Sequence, residues 1–275
     1  MSVKSRIAEL NARLADSLTA KGVEADGSET TTALIDKVDN LQVGGSKWEE
    51  LFNLSTNNGT DYSYLLHSTT DLDTAPELDY SQVISTEYMF ASSGTNELVI
   101  PHIEMPKVTS VRYMFNNTTA AYIGGLTTSD SVTVDVYAMC QNSKGIKKIG
   151  ELNIPNITNN NFVFSYCTEL TEIEGISGVF LSGGNNVFGN TGKLTTLGEI
   201  YGDITGTVKV NSSPLDLPTA KRIIEALKNY AGTSKEGVYS VTFSTTTLGY
   251  LEAEGATAPN DMTWIDYANA KGWNI

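Results

Sequence analysis

The chain has 275 residues, of which 40% are hydrophobic and 18% charged, and its 32 acidic and 18 basic residues give a formal net charge of -14. This length predicts two or three modules or one elongated domain. The negative charge repels phosphate backbones and anionic membrane surfaces, so we expect neither nucleic acid nor lipid as the main partner. The first residues contain no continuous apolar stretch, so neither a signal peptide nor an inserted membrane helix is expected.

The first part of the chain, residues 1–46, is predicted to be helical. Four apolar residues recur there at intervals of three and four: Ile7, Leu10, Leu14 and Leu18. This spacing places them on one face of a helix from Ser5 to about Thr19. A second short helix is predicted from Thr31 to Leu41, ahead of Gly44. Because helices of this length are marginal alone, we expect the segment to bind another protein, to self-associate or to pack on the rest of the chain.

Residues 47–213 contain a short phrase of aromatic and apolar residues that returns every 24 or 25 residues. Its copies end at Phe90, Phe115, Met139, Phe164 and Phe188. Other apolar residues lie seven positions before each of these ends: Val83, Val108, Val132, Ile157 and Leu181. A unit this short cannot bury its apolar face alone, so the repeat predicts a solenoid whose successive turns stack on one another. A β-sandwich with evenly spaced strands is the alternative, but it does not predict a shared phrase.

Residues 214–275 follow a different pattern and are predicted to form an α/β module. The stretch from Asp216 to about Tyr230 predicts a helix, with Pro218 in its first turn. Residues 238–243 alternate as a strand does, and a last helix is expected from Asp261 to about Lys271. Because a solenoid needs a terminal module with a polar outer face, we interpret this module as a cap.

One position of the phrase is aromatic in most copies and forms a column: Tyr88, Tyr113, Tyr137 and Phe162. Stacked rings on an exposed face would suit the apolar faces of sugars. Because the flanking residues are also apolar, core packing is the expected role of the column, and ligand contact is the alternative.

Few residues are candidates for chemistry. His67 and His102 lie in no arrangement that indicates Ser-His-Asp or Cys-His catalysis. One group of carboxylates could bind calcium or act as a glycosidase acid pair, but is expected to be a solvated loop face: Asp71, Asp73, Glu77 and Asp79. Cys140 and Cys167 fit no zinc or disulfide pattern and are expected to be buried thiols.

Glycine-rich stretches lack the context of a phosphate-binding loop and are expected to be turn glycines: Gly124-Gly125, Gly183-Gly184 and Gly202 to Gly206. We therefore predict no catalytic, cofactor-binding or metal-binding residues, no enzymatic activity and no cofactor. The sequence assigns no ligand-binding residue.

The repeat carries motifs that resemble a known family. Tyr113-Met114-Phe115 is followed by Asn116-Asn117-Thr118, and Leu-Thr motifs occur at Leu170 to Ile173 and at Leu194 to Leu197. These motifs resemble BspA-type leucine-rich repeats and the related Met-Phe repeats of bacterial surface lipoproteins. Two further stretches, Leu18 to Val23 and Trp264 to Ile275, are similar to repeat and baseplate proteins of bacteriophage tail modules.

The resemblance implies a right-handed leucine-rich-repeat solenoid used for surface attachment, with its N-terminus joined to the virion. The predicted fold class is therefore α+β: a leucine-rich-repeat-like β-solenoid over residues 47–213, between an N-terminal helical segment (1–46) and a C-terminal α/β cap (214–275).

The expected function is that of a structural protein of a bacteriophage tail tip or baseplate, carried on the virion and acting at the host cell surface. Its N-terminal helices would bind other tail or baseplate proteins or form a homo-oligomer, with a trimer favoured. The solenoid would bind a host-surface glycan or protein. Two alternatives are a purely architectural baseplate component without receptor contact and a glycan-degrading tailspike enzyme.

Overall fold

A computed structural model describes residues 3–20, 25–29, 33–34 and 56–275. Its strands are β1 (Val99–Ile100), β2 (Ile103–Glu104), β3 (Tyr122–Thr127), β4 (Val134–Asp135), β5 (Lys148–Asn153), β6 (Ile157–Asn159), β7 (Glu172–Ser177), β8 (Thr196–Tyr201), β9 (Val208–Lys209), β10 (Tyr239–Thr242) and β11 (Trp273–Asn274). Its helices are α1 (Val3–Ala20), α2 (Gly178–Leu181), α3 (Leu217–Ala226), α4 (Thr245–Glu254) and α5 (Trp264–Ala270), with a 3-10 turn at Pro259–Asp261.

The repeat region forms a β-solenoid whose main face is a six-stranded parallel sheet. The strand order is β1-β3-β5-β7-β8, and β2 also pairs with β3. Residues one repeat apart are register partners, as in the pairs Ile123 with Ile149, Ile149 with Ile173 and Ile173 with Leu197. The period of the sequence is therefore the period of the sheet, and the predicted stacking of like residues in columns is confirmed.

The recurring phrase folds into tight turns rather than a strand, and the turns of successive copies form a row. Within one copy, the Met89 N–H donates to the Thr86 carbonyl at 3.1 Å and the Ala91 N–H to the Tyr88 carbonyl at 3.1 Å. The alternate N–H groups donate to the next copy, as from Phe90 to the Met114 carbonyl at 2.8 Å. The backbone N–H groups of the phrase thus form hydrogen bonds both within one copy and to the next copy. The bonds between copies hold successive turns of the solenoid together.

Side chains of the phrase fill the interior of the solenoid. Phe90 and Phe115 are fully buried with ring centroids 5.7 Å apart, and Phe164 and Phe188 are buried at 5.2 Å. Met139 is also fully buried, but the prediction that it ends its phrase in line with the phenylalanines is wrong. Cys140 takes that position, because its N–H donates to the Val163 carbonyl at 2.8 Å as the Phe90 N–H does to the Met114 carbonyl. Truncating a buried phenylalanine to alanine costs about 3–5 kcal/mol, so this column is a major source of stability.

Glycines inside the strands allow adjacent turns to approach closely. A Cβ atom on Gly150 would lie 2.0 Å from the Gly124 carbonyl oxygen, and one on Gly198 would lie 1.8 Å from that of Glu174. The prediction that Gly124 and Gly125 are turn glycines is wrong, because both lie within β3. Their physical role is to leave room for neighbouring backbone, because a Cβ atom on Gly124 would lie 2.3 Å from the His102 nitrogen and one on Gly125 would lie 2.0 Å from the Glu151 carbonyl oxygen.

The C-terminal module covers the last strand of the large sheet. The backbone N–H of Asp216 donates to the Thr195 carbonyl at 2.9 Å, and the hydroxyl of Thr219 accepts from the Leu197 N–H at 3.2 Å. The Arg222 guanidinium donates to the Leu197 carbonyl at 2.7 Å. Side chains of α3 thus bind polar groups of β8 that would otherwise form an exposed edge.

Strand β9, which precedes α3, forms a parallel three-stranded sheet with β10 and β11 in the order β11-β10-β9, and Trp264 and Trp273 are buried. The helix predicted from Asp216, the strand near residues 238–243 and the last helix are confirmed with bounds shifted by a few residues. Helix α4 was not expected, because its hydrophobic residues form no clear stripe.

Helix α1 confirms the helix predicted over the first apolar stripe. Its residues Leu14 and Leu18 are buried against Leu34, whereas Ile7 is 44% exposed. The helix predicted from Thr31 to Leu41 lies outside the described residues except for positions 33 and 34. Among the described residues, no helix has both the length and the apolar content to cross a lipid bilayer.

Candidate functional site

Five aromatic side chains from successive turns form a continuous row on one side of the solenoid. This row, here called the aromatic ladder, consists of Tyr64, Tyr88, Tyr113, Tyr137 and Phe162. Its consecutive ring centroids are 4.9, 4.5, 5.3 and 5.9 Å apart. Tyr64, Tyr88, Tyr113 and Phe162 occupy the same position in their turns. In the third copy this position belongs to Ala138, with a φ of 53°, and Tyr137 lies one residue before it.

The ladder lies at the surface. Tyr64 is 48% exposed and the other four rings are half-buried, whereas Met89 and Phe90 of the same phrase are fully buried. The prediction that the aromatic column packs in the core is therefore wrong. The reason is the backbone, since Tyr88 has a φ of 57°, a left-handed conformation that belongs to the tight turns and is uncommon outside glycine.

The ladder has two parts of different geometry. The rings of Tyr64, Tyr88 and Tyr113 are nearly parallel, with interplanar angles of 11° and 15°. Both faces of the Tyr88 ring are therefore covered by its neighbours, and a ligand meets its edge and its hydroxyl group. Beyond Tyr113 the rings meet edge to face, at 74° with Tyr137 and then at 77° between Tyr137 and Phe162.

Charged and hydroxyl groups border the ladder. Arg112 places its guanidinium 4.8 Å from the Tyr137 ring centroid and forms an ion pair with Asp135 at 2.9 Å. The Ser110 hydroxyl donates to the Glu87 carboxylate at 2.6 Å. The face combines aromatic area with hydrogen-bonding groups of both charges, a composition that is typical of recognition surfaces.

The surroundings of Tyr88, Tyr113 and Arg112 shift the pKa values of these three side chains. Burial, together with a hydrogen bond to the Tyr137 hydroxyl, raises the pKa of Tyr113 to about 12. Burial also raises the pKa of Tyr88, with a further contribution from Tyr64. The hydrogen bond with Asp135 raises the pKa of Arg112. The phenols of Tyr88 and Tyr113 therefore stay neutral hydrogen-bond donors near neutral pH, and the Arg112 guanidinium stays charged.

Both histidines have structural partners. The His102 ring bonds the Gly124 carbonyl at 3.1 Å and the Thr127 hydroxyl at 3.0 Å. The His67 ring contacts the Ser68 hydroxyl at 3.0 Å and lies 5.5 Å from the Tyr64 ring. These contacts place His67 at one end of the aromatic ladder and His102 on the outer surface of the sheet.

The cysteines are buried thiols, as predicted. Cys140 and Cys167 are both fully buried, and the Cys167 thiol donates to the Cys140 carbonyl at 3.0 Å. Burial raises the pKa of Cys167 to about 12 and also raises that of Cys140. Thiols in this state are poor nucleophiles.

The four candidate carboxylates are exposed, as expected of a solvated face. Asp73 accepts from the Thr95 hydroxyl at 2.8 Å, and Asp79 accepts from the Ser81 N–H at 2.8 Å. Among the described residues, no group of three or more histidine, cysteine or carboxylate side chains is placed to hold a metal ion. Glu77 and Asp79 line an open groove of about 530 Å³ between residues 75–81 and 101–106.

The fold and the ladder define an α+β protein built on a parallel β-solenoid with an exposed aromatic face. Sequence reasoning found the aromatic column but assigned it to the core, and it did not find the groove. No protein-family model, curated protein or solved structure matches this chain.

Proposed function

We propose that this protein is an attachment component of a bacteriophage tail tip or baseplate, and that it binds a host-surface glycan or protein through the aromatic ladder. The solenoid would be of the BspA-type leucine-rich-repeat class that its motifs resemble. The N-terminal helices would join it to other tail proteins or to copies of itself. The observation that carries the proposal is the aromatic ladder, which keeps five rings at the surface of a fold whose interior is apolar.

The ladder supports a binding role because several of its residues adopt a backbone conformation that destabilises the fold. A non-glycine residue in the left-handed region costs on the order of 1–3 kcal/mol, and Tyr64, Tyr88 and Phe162 all have φ values between 57° and 61°. The equivalent residue in the next copy is Asn186, with a φ of 51°, and asparagine tolerates this conformation better. Exposed rings at these positions are therefore not required by the backbone.

The geometry of the ladder indicates how it would bind. Since the first three rings cover one another, a ligand would contact their edges and hydroxyl groups and the flanking Arg112 and Glu87. Each contact is shallow and repeats at the spacing of the turns. Several copies on one virion would multiply such contacts, because avidity raises overall binding without a deep pocket.

The test uses variants that the repeat itself suggests. Replacing Tyr64, Tyr88 and Tyr113 with asparagine gives these turns the residue that the chain already has at position 186. Biotinylated full-length protein, tetramerised on labelled streptavidin, is incubated with a panel of intact Gram-positive and Gram-negative bacteria, and bound fluorescence is measured. We expect the wild type to bind at least one strain, and the triple variant to lose about tenfold or more of that binding.

Tyr166→Asn is the matched control. Tyr166 is 47% exposed and has a φ of 63°, but it lies outside the ladder. This variant should bind cells as the wild type does. Equal binding by the triple variant would refute the role of the ladder. Absence of binding to every strain, with the protein present in purified virions, would favour the architectural alternative.

A further inference from the structure

The groove marks a place where the stacking of turns is interrupted. The repeat would align Leu78 with Ile103, but pairing between these two turns stops at Thr74 and Val99. Pro76 and Pro101 lie just beyond this pair, one in each wall of the groove, and neither has an N–H group to donate. Residues 75–81 therefore separate from residues 101–106, and the groove of about 530 Å³ opens between them.

One wall of the groove is a strand edge. On its inner side, β2 pairs with β3, and the following Met105 N–H donates to the Thr127 carbonyl at 2.9 Å. In a strand, the polar backbone groups of successive residues point to opposite sides. The N–H and carbonyl of Glu104 are therefore directed away from β3 and toward the groove. Such an edge pairs readily with an added extended chain.

The groove is negatively charged above an apolar floor. Glu77, Asp79 and Glu104 line it, together with Leu78 and Ile103. Hydrogen bonds from Ser81 lower the pKa of Asp79, which keeps this carboxylate ionised. In the described part of the chain, no lysine or arginine lines the groove. The nearby Lys107 bonds the Gln82 side chain at one end.

We propose that this groove binds an extended basic segment of a partner protein, which adds to the open edge of β2 at Glu104. Backbone bonds to Glu104 would hold the segment in an extended form. Its lysine or arginine side chains would meet the three carboxylates, and its apolar side chains would cover Leu78 and Ile103. This site is separate from the aromatic ladder and does not depend on it.

The test measures fluorescence anisotropy of a labelled hexapeptide of alternating lysine and valine, titrated with the full-length protein. We expect saturable binding. We also expect about tenfold weaker binding for the variant Glu77→Gln, Asp79→Asn, Glu104→Gln. The same peptide with N-methyl groups on alternate amides should also bind about tenfold more weakly, because it cannot form the backbone bonds.

A variant with the same change of charge serves as the control. Asp130→Asn, Glu199→Gln, Glu252→Gln removes three exposed carboxylates outside the groove lining and should bind the peptide as the wild type does. Equal losses in the two triple variants would show attraction to the overall charge of -14 and would overturn the proposal. So would undiminished binding of the N-methylated peptide, displacement by spermidine at equal concentration, or no binding of the basic peptide.

Discussion

Two glycine-to-alanine substitutions should change stability in opposite directions. In Gly198→Ala, the new Cβ would lie 1.8 Å from the Glu174 carbonyl oxygen, which belongs to the adjacent strand. No side-chain rotation relieves a contact between a Cβ atom and backbone. The backbones of β7 and β8 must therefore move apart by roughly 1 Å or more before these two atoms reach an ordinary contact distance. Overpacking and weakened strand bonds together are expected to cost about 3 kcal/mol.

Gly249→Ala is the matched control. Gly249 lies in α4, is exposed, and has no atom within 4 Å of the added Cβ. Alanine in a helix interior is favoured over glycine by roughly 1 kcal/mol, so this variant should be more stable than the wild type. Differential scanning calorimetry should show a Tm lower by roughly 5–10 °C for Gly198→Ala and a slightly higher Tm for Gly249→Ala. A Tm for Gly198→Ala equal to that of the wild type would refute the close packing of adjacent turns.

Three further predictions concern the core, the cap and the buried thiol. Phe115→Ala should lower the free energy of unfolding by about 3–5 kcal/mol in urea titrations, whereas Phe115→Leu should cost less. Thr219→Val should cost about 1–2 kcal/mol, because it removes the hydroxyl that bonds the Leu197 backbone, and Thr219→Ser should restore most of this loss. Burial raises the pKa of Cys167 from 9.0 to about 12. The stability that this thiol contributes is therefore complete below pH 9 and is lost as the pH rises toward 12. Urea unfolding between pH 8 and 11 should show a smaller loss with Cys167→Ala, and an equal loss would contradict the burial effect.

The architecture of the repeat region could be predicted because apolar residues recur in the sequence with the period of the repeat. Ile123, Ile149 and Ile173 are spaced by one repeat, and a residue that must be buried in every turn gives a strong signal. The buried phenylalanine column followed from the same signal. The direction of the tyrosines did not, because Tyr88, Met89 and Phe90 are all apolar or aromatic, and their order does not show which side chain points outward.

A signal for the tight turns was nevertheless present. Asn117, Asn142 and Asn190 occupy the same place in three copies, and all three have φ values between 54° and 63°. A recurring asparagine indicates left-handed backbone. A second left-handed site lies four positions earlier in each of these copies, at Tyr113, Ala138 and Asn186, so the turn geometry could have been inferred from this column. The glycines at Gly150 and Gly198 carry a similar signal for close backbone approach.

The opening of the groove could not be predicted from the repeat, because the repeat continues through it. Leu78 keeps its place in the apolar column, and periodicity alone therefore predicts a paired strand there. The pairing nevertheless ends at Thr74 and Val99, because Pro76 and Pro101, which follow them, have no N–H group to donate.

Two local features of the backbone create the two surfaces on which the proposals depend. A turn leaves little for a partner to bind when all its apolar residues are buried and its backbone is bonded to the turns on both sides. The left-handed turns direct Tyr64, Tyr88 and Tyr113 outward, and Pro76 and Pro101 lie where the pairing ends and the edge at Glu104 opens. In a solenoid, recognition should therefore be sought where the backbone directs side chains or unpaired backbone groups outward, and substitutions at such positions, such as asparagine in the ladder, are the sharpest tests of function.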